Sequence, residues 1–103
     1  MNNDNLEKFV SNNRLLEVYG RLLTESQLEI MTDYYENNLS LSEISELKGI
    51  SRTAVSDALK VSVSKLEGYE EKLGLLKAID NLKSSEENKE VLEKLEEVIR
   101  NGI

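Results

Sequence analysis

A chain of 103 residues, 39% of them hydrophobic, can build one small packed core and is too short for two. It carries a formal charge of −7 with no cysteine and no histidine, which excludes disulfides, thiolate nucleophiles, the usual zinc ligands and imidazole acid–base chemistry. No proline interrupts it, no apolar run approaches a membrane span, and the opening MNNDNLEKF has neither the basic nor the apolar part of a signal peptide, so a soluble cytoplasmic protein is expected.

Apolar residues recur at helical spacing throughout, and no stretch alternates as a strand does. The first helix begins near Asp4 or Asn5 and carries Leu6, Phe9, Val10, Leu15, Leu16, Tyr19, Leu22 and Leu23, with Ser11-Asn12-Asn13 as the place where it would bend or break. Thr24 is a suitable N-cap, and Gln27 three residues later completes a capping box. The helix that follows runs to about Glu36, with Leu28, Met31, Tyr34 and Tyr35 toward a core, and Asn37-Asn38 ends it. Ser40 or Leu41 opens a short third helix to Lys48, stopped by Gly49. Ser51 caps a fourth. From Arg52 the next strong stop is Ser84-Ser85, with only Gly68 and Gly74 between. Each of these glycines weakens a helix by about 1 kcal/mol without necessarily ending it. Val55, Leu59, Leu66, Leu73 and Leu76 recur at near-heptad intervals, which suggests one long amphipathic helix. A last helix follows a cap at Ser85 and Asn88 and carries Val91, Leu92, Leu95, Val98 and Ile99.

Residues 42–60, SEISELKGISRTAVSDALK, meet the requirements of a helix-turn-helix in order. Ser45 is small enough for two helices to cross closely. Gly49 frees the turn, Ile50 is the apolar plug after it, and Ser51 and Val55 cap and anchor the second helix. Ile44, Leu47 and Leu59 complete the small core. The expected fold is therefore all-α, a helical bundle around a helix-turn-helix with a long amphipathic fourth helix and a C-terminal helix. It forms one domain over 1–103, with the helix-turn-helix core at about 24–66 and a helical extension at about 67–103.

The run LLTESQLEIMTDYYENNLSLSEISELKGISRTAV resembles the fourth region of bacterial sigma factors, where an LT-x-x-Q helix precedes L-S-x-x-E-I and G-I-S-x-x-x-V. With LLEVYGRLLTESQ before it and KLEGYEEKLGLL after it, the chain over about residues 15–76 is similar to the YlxM family, small sigma-region-4-like proteins of low-GC Gram-positive bacteria and mollicutes. Their genes lie beside those of the signal recognition particle, its GTPase Ffh and the receptor FtsY. The resemblance implies an all-helical fold, a role in or upon the signal recognition particle pathway, and no catalysis. Two departures stand out. The usual I-A-E-E-L-G-I order becomes Ile44-Ser45-Glu46-Leu47-Lys48-Gly49-Ile50, with the leucine one position early, and Val61 stands where a basic residue often follows Lys60.

Charge is unevenly divided. Residues 41–66 hold Lys48, Arg52, Lys60 and Lys65 against Glu43, Glu46 and Asp57, while both flanks are acidic. In a major groove the second helix would present Arg52, Thr53, Ser56 and Lys60, which are the candidate nucleic-acid contacts. Asp57 on the same face repels phosphate, and its ordinary reading is a solvated residue or an i,i+3 partner of Lys60. Arg52 at a helix start is also commonly just solvated. RNA is the other ligand for this surface, but Phe9, Tyr19, Tyr34, Tyr35 and Tyr69 sit at core-like positions, not as stacking platforms. The glutamates Glu67, Glu70 and Glu71, and Glu93, Glu96 and Glu97, would steer a basic protein partner, or simply face solvent. Expected partners are thus the particle RNA or DNA, the particle GTPase and a second copy in a homodimer. No membrane, cofactor or metal is expected, and catalysis is not, because no nucleophile–base set or phosphate loop is present.

Overall fold

The computed structural model describes residues 3–83 and 89–102. Among these residues there is no strand, and six helices follow one another: α1 (Asn3–Tyr19), a 3₁₀ turn (Gly20–Leu22), α2 (Glu25–Tyr35), α3 (Leu41–Lys48), α4 (Arg52–Leu73), α5 (Leu75–Lys83) and α6 (Lys89–Gly102). The architecture is the expected all-α bundle.

Helix starts follow the capping chemistry written in the chain. Thr24 Oγ1 accepts from the Gln27 amide at 3.2 Å, while Gln27 Oε1 accepts from the Thr24 amide at 3.1 Å. A second such box opens α3: Ser40 Oγ accepts from the Glu43 amide at 3.1 Å and Glu43 Oε1 from the Ser40 amide at 3.0 Å. These bonds hold the Glu43 carboxyl below the usual carboxylate range. The Ser-x-x-Glu spacing of this second box was as plain in the sequence as the first. Ser51 Oγ accepts from the Ala54 amide at 3.0 Å and begins α4.

Two expectations are corrected along the first half of the chain. Helix α1 runs unbroken through Ser11-Asn12-Asn13. Asn12 is buried, and its Nδ2 donates to the Tyr35 hydroxyl at 3.0 Å, so the polar residue finds a partner across the interface without breaking the helix. Leu6, Val10 and Leu22 lie on the exposed side and contribute nothing to the core.

Helix α4 is the central element, lying against α1, α2 and α3. Its buried positions Val55, Leu59, Ser62 and Leu66 fall at spacings of four, three and four, one stripe of a helix. They join Leu15, Leu16 and Tyr19 from α1, Leu23, Ile30 and Met31 from α2 and its approach, and Ile44 from α3 in a single cluster. Ser62 is tolerated there because its Oγ donates to the Ala58 carbonyl at 2.7 Å.

Gly68 lets α4 pass, whereas Gly74 ends it, so the single long helix suggested by the apolar spacing is in fact two. Gly74 adopts φ +63° and its amide donates to the Glu70 carbonyl at 2.8 Å. The first turn of α5 is then satisfied from outside itself. The Leu75 amide donates to the Tyr19 hydroxyl at 3.1 Å, the Leu76 amide to Glu70 Oε1 at 3.0 Å, and the Lys77 amide to Glu70 Oε2 at 3.3 Å. The Tyr19 hydroxyl in turn donates to Glu70 Oε1 at 2.6 Å. Glu70 is therefore no free steering charge; it is the cap of α5. Burial, reinforced by Glu70, pushes the Tyr19 hydroxyl up to about 12. Burial alone would raise the Glu70 carboxyl, but the Tyr19 hydroxyl and the two amides outweigh it and hold that carboxyl below its usual value. Just before this junction Leu73 is exposed, so the apolar stripe of α4 ends at Leu66 and Tyr69.

Helices α5 and α6 pack on each other and on α1 around Ile79 and Ile99, with Val18 and Leu82 beside them. Ion pairs line this seam: Arg14–Asp80 at 2.6 Å, Lys83–Glu96 at 3.2 Å and Arg100–Glu17 at 3.7 Å. Glu96 is thus engaged, unlike the exposed Glu67, Glu71, Glu93 and Glu97. The expected cap at Ser85 and Asn88 lies outside the described residues.

Replacing Tyr19 by Phe removes an acceptor from the Leu75 amide and a donor from Glu70, and is expected to cost about 2 kcal/mol in urea denaturation. Glu70 has a depressed folded pKa, so its contribution is present at neutral pH and is lost as pH falls through that pKa. The stability difference between wild type and Glu70→Gln should therefore shrink in acid, as pH-dependent melting would measure. Gly68→Ala is expected to raise stability by about 0.5–1 kcal/mol, since open space meets its Cβ, while Gly74→Ala lowers it by about 1 kcal/mol.

Candidate nucleic-acid interface

The turn between α3 and α4 is held by backbone geometry and one serine. Gly49 adopts φ +68°, and both its amide and that of Ile50 donate to the Ser45 carbonyl, at 2.9 and 3.2 Å. The Ser45 hydroxyl donates to the Ile50 carbonyl, so its role exceeds the small size read from the sequence. Ile44 and Val55 are fully buried and anchor the two helices. Two expected anchors do not serve: Leu47 is 66% exposed and Ile50 is 37% exposed. The early leucine explains the first. At i+4 from Ile44, the position that shares its inward face stands Lys48, half-buried and ion-paired with Glu29 of α2, while Leu47 is turned outward.

Arg52, Thr53, Asp57 and Lys60 are exposed and Ser56 is half-buried, spread over roughly 140° of the outer side of α4, with Thr53 and Asp57 opposite Val55 and Leu59 and Arg52 at the near edge. The structure thus brings the candidate residues together. Among the described residues neither Arg52 nor Lys60 has an ion-pair partner, and the Asp57–Lys60 pair considered above does not form. Two other bases of the segment are turned away, for Lys48 pairs with Glu29 and Lys65 Nζ donates to Gln27 Oε1 at 3.2 Å. Two free cations beside one free carboxylate make a weak phosphate surface. Two neutralised phosphates correspond to a salt slope of about −1.8 on a duplex, against the six to ten phosphate contacts of strong duplex binders.

Ser56 and Lys60 also edge an open groove of about 360 Å³ whose other walls include Lys8, Asn12, Tyr34 and Tyr35. Beside this groove Phe9, Tyr34 and Tyr35 form a ring cluster, with Phe9–Tyr35 and Tyr34–Tyr35 centroids each 4.9 Å apart. Of the five aromatics assigned to the core, only Tyr19 is fully buried; the others are half-exposed. Tyr34, Tyr35 and Tyr69 nevertheless pack against the core with part of each ring, as their helical spacing predicts. Burial raises the pKa of the Tyr35 hydroxyl, partly opposed by its bond from Asn12. The hollow between α1, α5 and α6, lined by Arg14, Glu17, Lys83, Glu96 and Arg100, holds only about 60 Å³, and its charges are already paired. Among the described residues no group of acidic side chains is placed to hold a metal ion, and no helix is long and apolar enough to cross a membrane.

Capped helices, a left-handed glycine turn and an inward Ile44–Val55 pair define an all-helical helix-turn-helix protein. The family UPF0122, described as "Putative helix-turn-helix protein, YlxM / p13 like", matches residues 6–101, and the chain belongs to it. A UPF0122 protein of Thermoanaerobacter sp. (strain X514) is 43% identical over 100 residues, covering 84% of this chain and 86% of that protein. One from Caldanaerobacter subterraneus is 46% identical over 84 residues, 82% of this chain and 64% of its own length. One from Malacoplasma penetrans is 51% identical over 59 residues, 57% of this chain and 55% of its own length. No solved structure matches the chain significantly.

Ile44→Ala is expected to lose about 3 kcal/mol of stability by emptying the junction of α2, α3 and α4, whereas Leu47→Gln should change it by less than about 0.5 kcal/mol. Thermal denaturation of the two variants separates the anchoring residue from the exposed one.

Proposed function

We propose that this protein is a non-catalytic, cytoplasmic accessory factor of the signal recognition particle pathway that binds the particle RNA, and through it or beside it the particle GTPase, with the exposed face of α4. The observation that carries the RNA reading is the charge on that face. Arg52 and Lys60 are free to meet phosphate, Thr53 and Ser56 can hydrogen-bond, and Asp57 stands among them. That set suits a limited, shape-led contact better than the many neutralised phosphates duplex DNA requires. The pathway itself comes from the resemblance to the YlxM family, since a fold supports many functions.

A DNA-binding transcriptional regulator is the second reading, favoured by the helix-turn-helix itself and by the exposed N-terminal turns of α4. A homodimer belongs to the same proposal. Exposed Leu6, Val10 and Leu73 offer apolar surface for it, and light scattering at tens of micromolar (on the order of weak-interface affinities) reads it directly, a monomer mass ruling it out.

The deciding experiment measures binding of the full chain to particle RNA and to promoter-length duplex DNA at several salt concentrations. RNA binding is expected, weakened roughly tenfold in Arg52→Ala, with a shallower salt dependence in the variant. Recovery of promoter DNA alone, lost in Arg52→Ala, with no retention of particle RNA or GTPase, would overturn the reading in favour of the second.

A further inference from the structure

The groove beside α4 has a chemistry of its own. Asn12 is only 8% exposed and lines it. Its Nδ2 is committed to the Tyr35 hydroxyl at 3.0 Å, which leaves Oδ1 as the side-chain atom that can meet a ligand. An amide oxygen of a residue in the wall of an open groove is an acceptor that a ligand or a water can use. Tyr34 and Tyr35, half-exposed, contribute aromatic surface beside it. The same two rings, with Lys8 and Asn12, also line an adjoining hollow of about 490 Å³ that runs along α1 to Phe9. Lys8 and Lys60, both lining the groove, are exposed and have no ion pair among the described residues, while Glu67 in the same lining repels anions. Aromatic faces, one hydrogen-bond acceptor and two flanking cations are the parts that hold an unstacked base and its neighbouring phosphates.

We propose that this groove takes an unpaired base of single-stranded RNA, stacked on the Tyr34 ring beside Tyr35, with its exocyclic amino group donating to Asn12 Oδ1 and its flanking phosphates met by Lys8 and Lys60. The proposal rests on the RNA reading above and gives it a second surface, contiguous with the first because Ser56 and Lys60 belong to both. An amino-bearing base is preferred: adenine or cytosine presents the donor that Asn12 accepts, and uracil has no amino group.

The chain contains no tryptophan, so tyrosine emission reports stacking directly. Full-length protein is titrated with oligoadenylate and oligouridylate of about eight nucleotides, within the site sizes typical of single-strand binders. The deoxy forms of both and the particle RNA complete the set. Oligoadenylate is expected to quench tyrosine emission and to bind more tightly than oligouridylate. Tyr34→Leu should weaken oligoadenylate binding by about 5- to 100-fold, the range that base stacking spans, with Tyr34→Phe close to wild type. Circular dichroism melts confirm that Tyr34→Leu is folded. Lys8→Gln with Lys60→Gln should flatten the slope of log affinity against log salt by about 1.4. Oligoadenylate binding that is unchanged in Tyr34→Leu overturns the groove, as does binding of particle RNA with no binding of any single strand. A groove filled by a second copy would overturn it too, and would show as concentration-dependent mass with Lys8 protected from acylation. Failure of the wild type to bind any RNA removes the parent reading instead, so the two failures are distinguishable.

Discussion

Glu70, in the last full turn of α4, turns its carboxylate onto the helix that comes next, and Tyr19 at the end of α1 completes the arrangement with one hydroxyl that donates to Glu70 and accepts from Leu75. Three elements are tied at this point: the helix behind the core, the helix that carries the helix-turn-helix, and the helix that begins the C-terminal hairpin. Without such partners the first amides of α5 would lack acceptors beside a left-handed glycine, where water has only partial access. The direction α5 takes, and with it the seam that α5 and α6 form with α1, follows from that one carboxylate.

Much of the fold was legible because it is local. Thr24, Gln27, Ser40, Gly49 and Ser51 act on neighbours within four residues, and the helices they start and stop are where the chain predicts them. The break at Gly74 was only half legible: the glycine was visible, but Gly68 reads the same in sequence, and one of the contacts that distinguish Gly74 comes from Tyr19, fifty-six residues from Leu75. Asn12 misled for the same reason. A polar triplet reads as a helix breaker until its partner, Tyr35, is known to lie across the interface. Leu47 is the opposite case: the shifted leucine was visible, and helix geometry alone turns it outward while Lys48 takes the inward register.

The candidate surface shows the same division. That Arg52, Thr53, Ser56 and Lys60 share a face is a matter of spacing on one helix. Which cations remain available depends on α2, because Glu29 and Gln27 engage Lys48 and Lys65. The segment that looked mildly basic in sequence is therefore less so in space. The aromatic groove emerges only when α1, the end of α2 and α4 are assembled, since each contributes a wall that no single segment contains.

Helix α1 touches α2, α4, α5 and α6, and its contacts reach as far along the chain as Ile99 and Arg100. It is synthesised before every one of those partners. While the capped helices from Thr24 onward can assemble from near-neighbour contacts as they emerge, α1 has only α2 to lie against until α4 and then α6 exist to receive the rest of it. Closure of this small protein is thus a late, non-local event imposed on an otherwise local fold. Its folding rate should be governed by the docking of its first helix, not by formation of the motif for which the family is described.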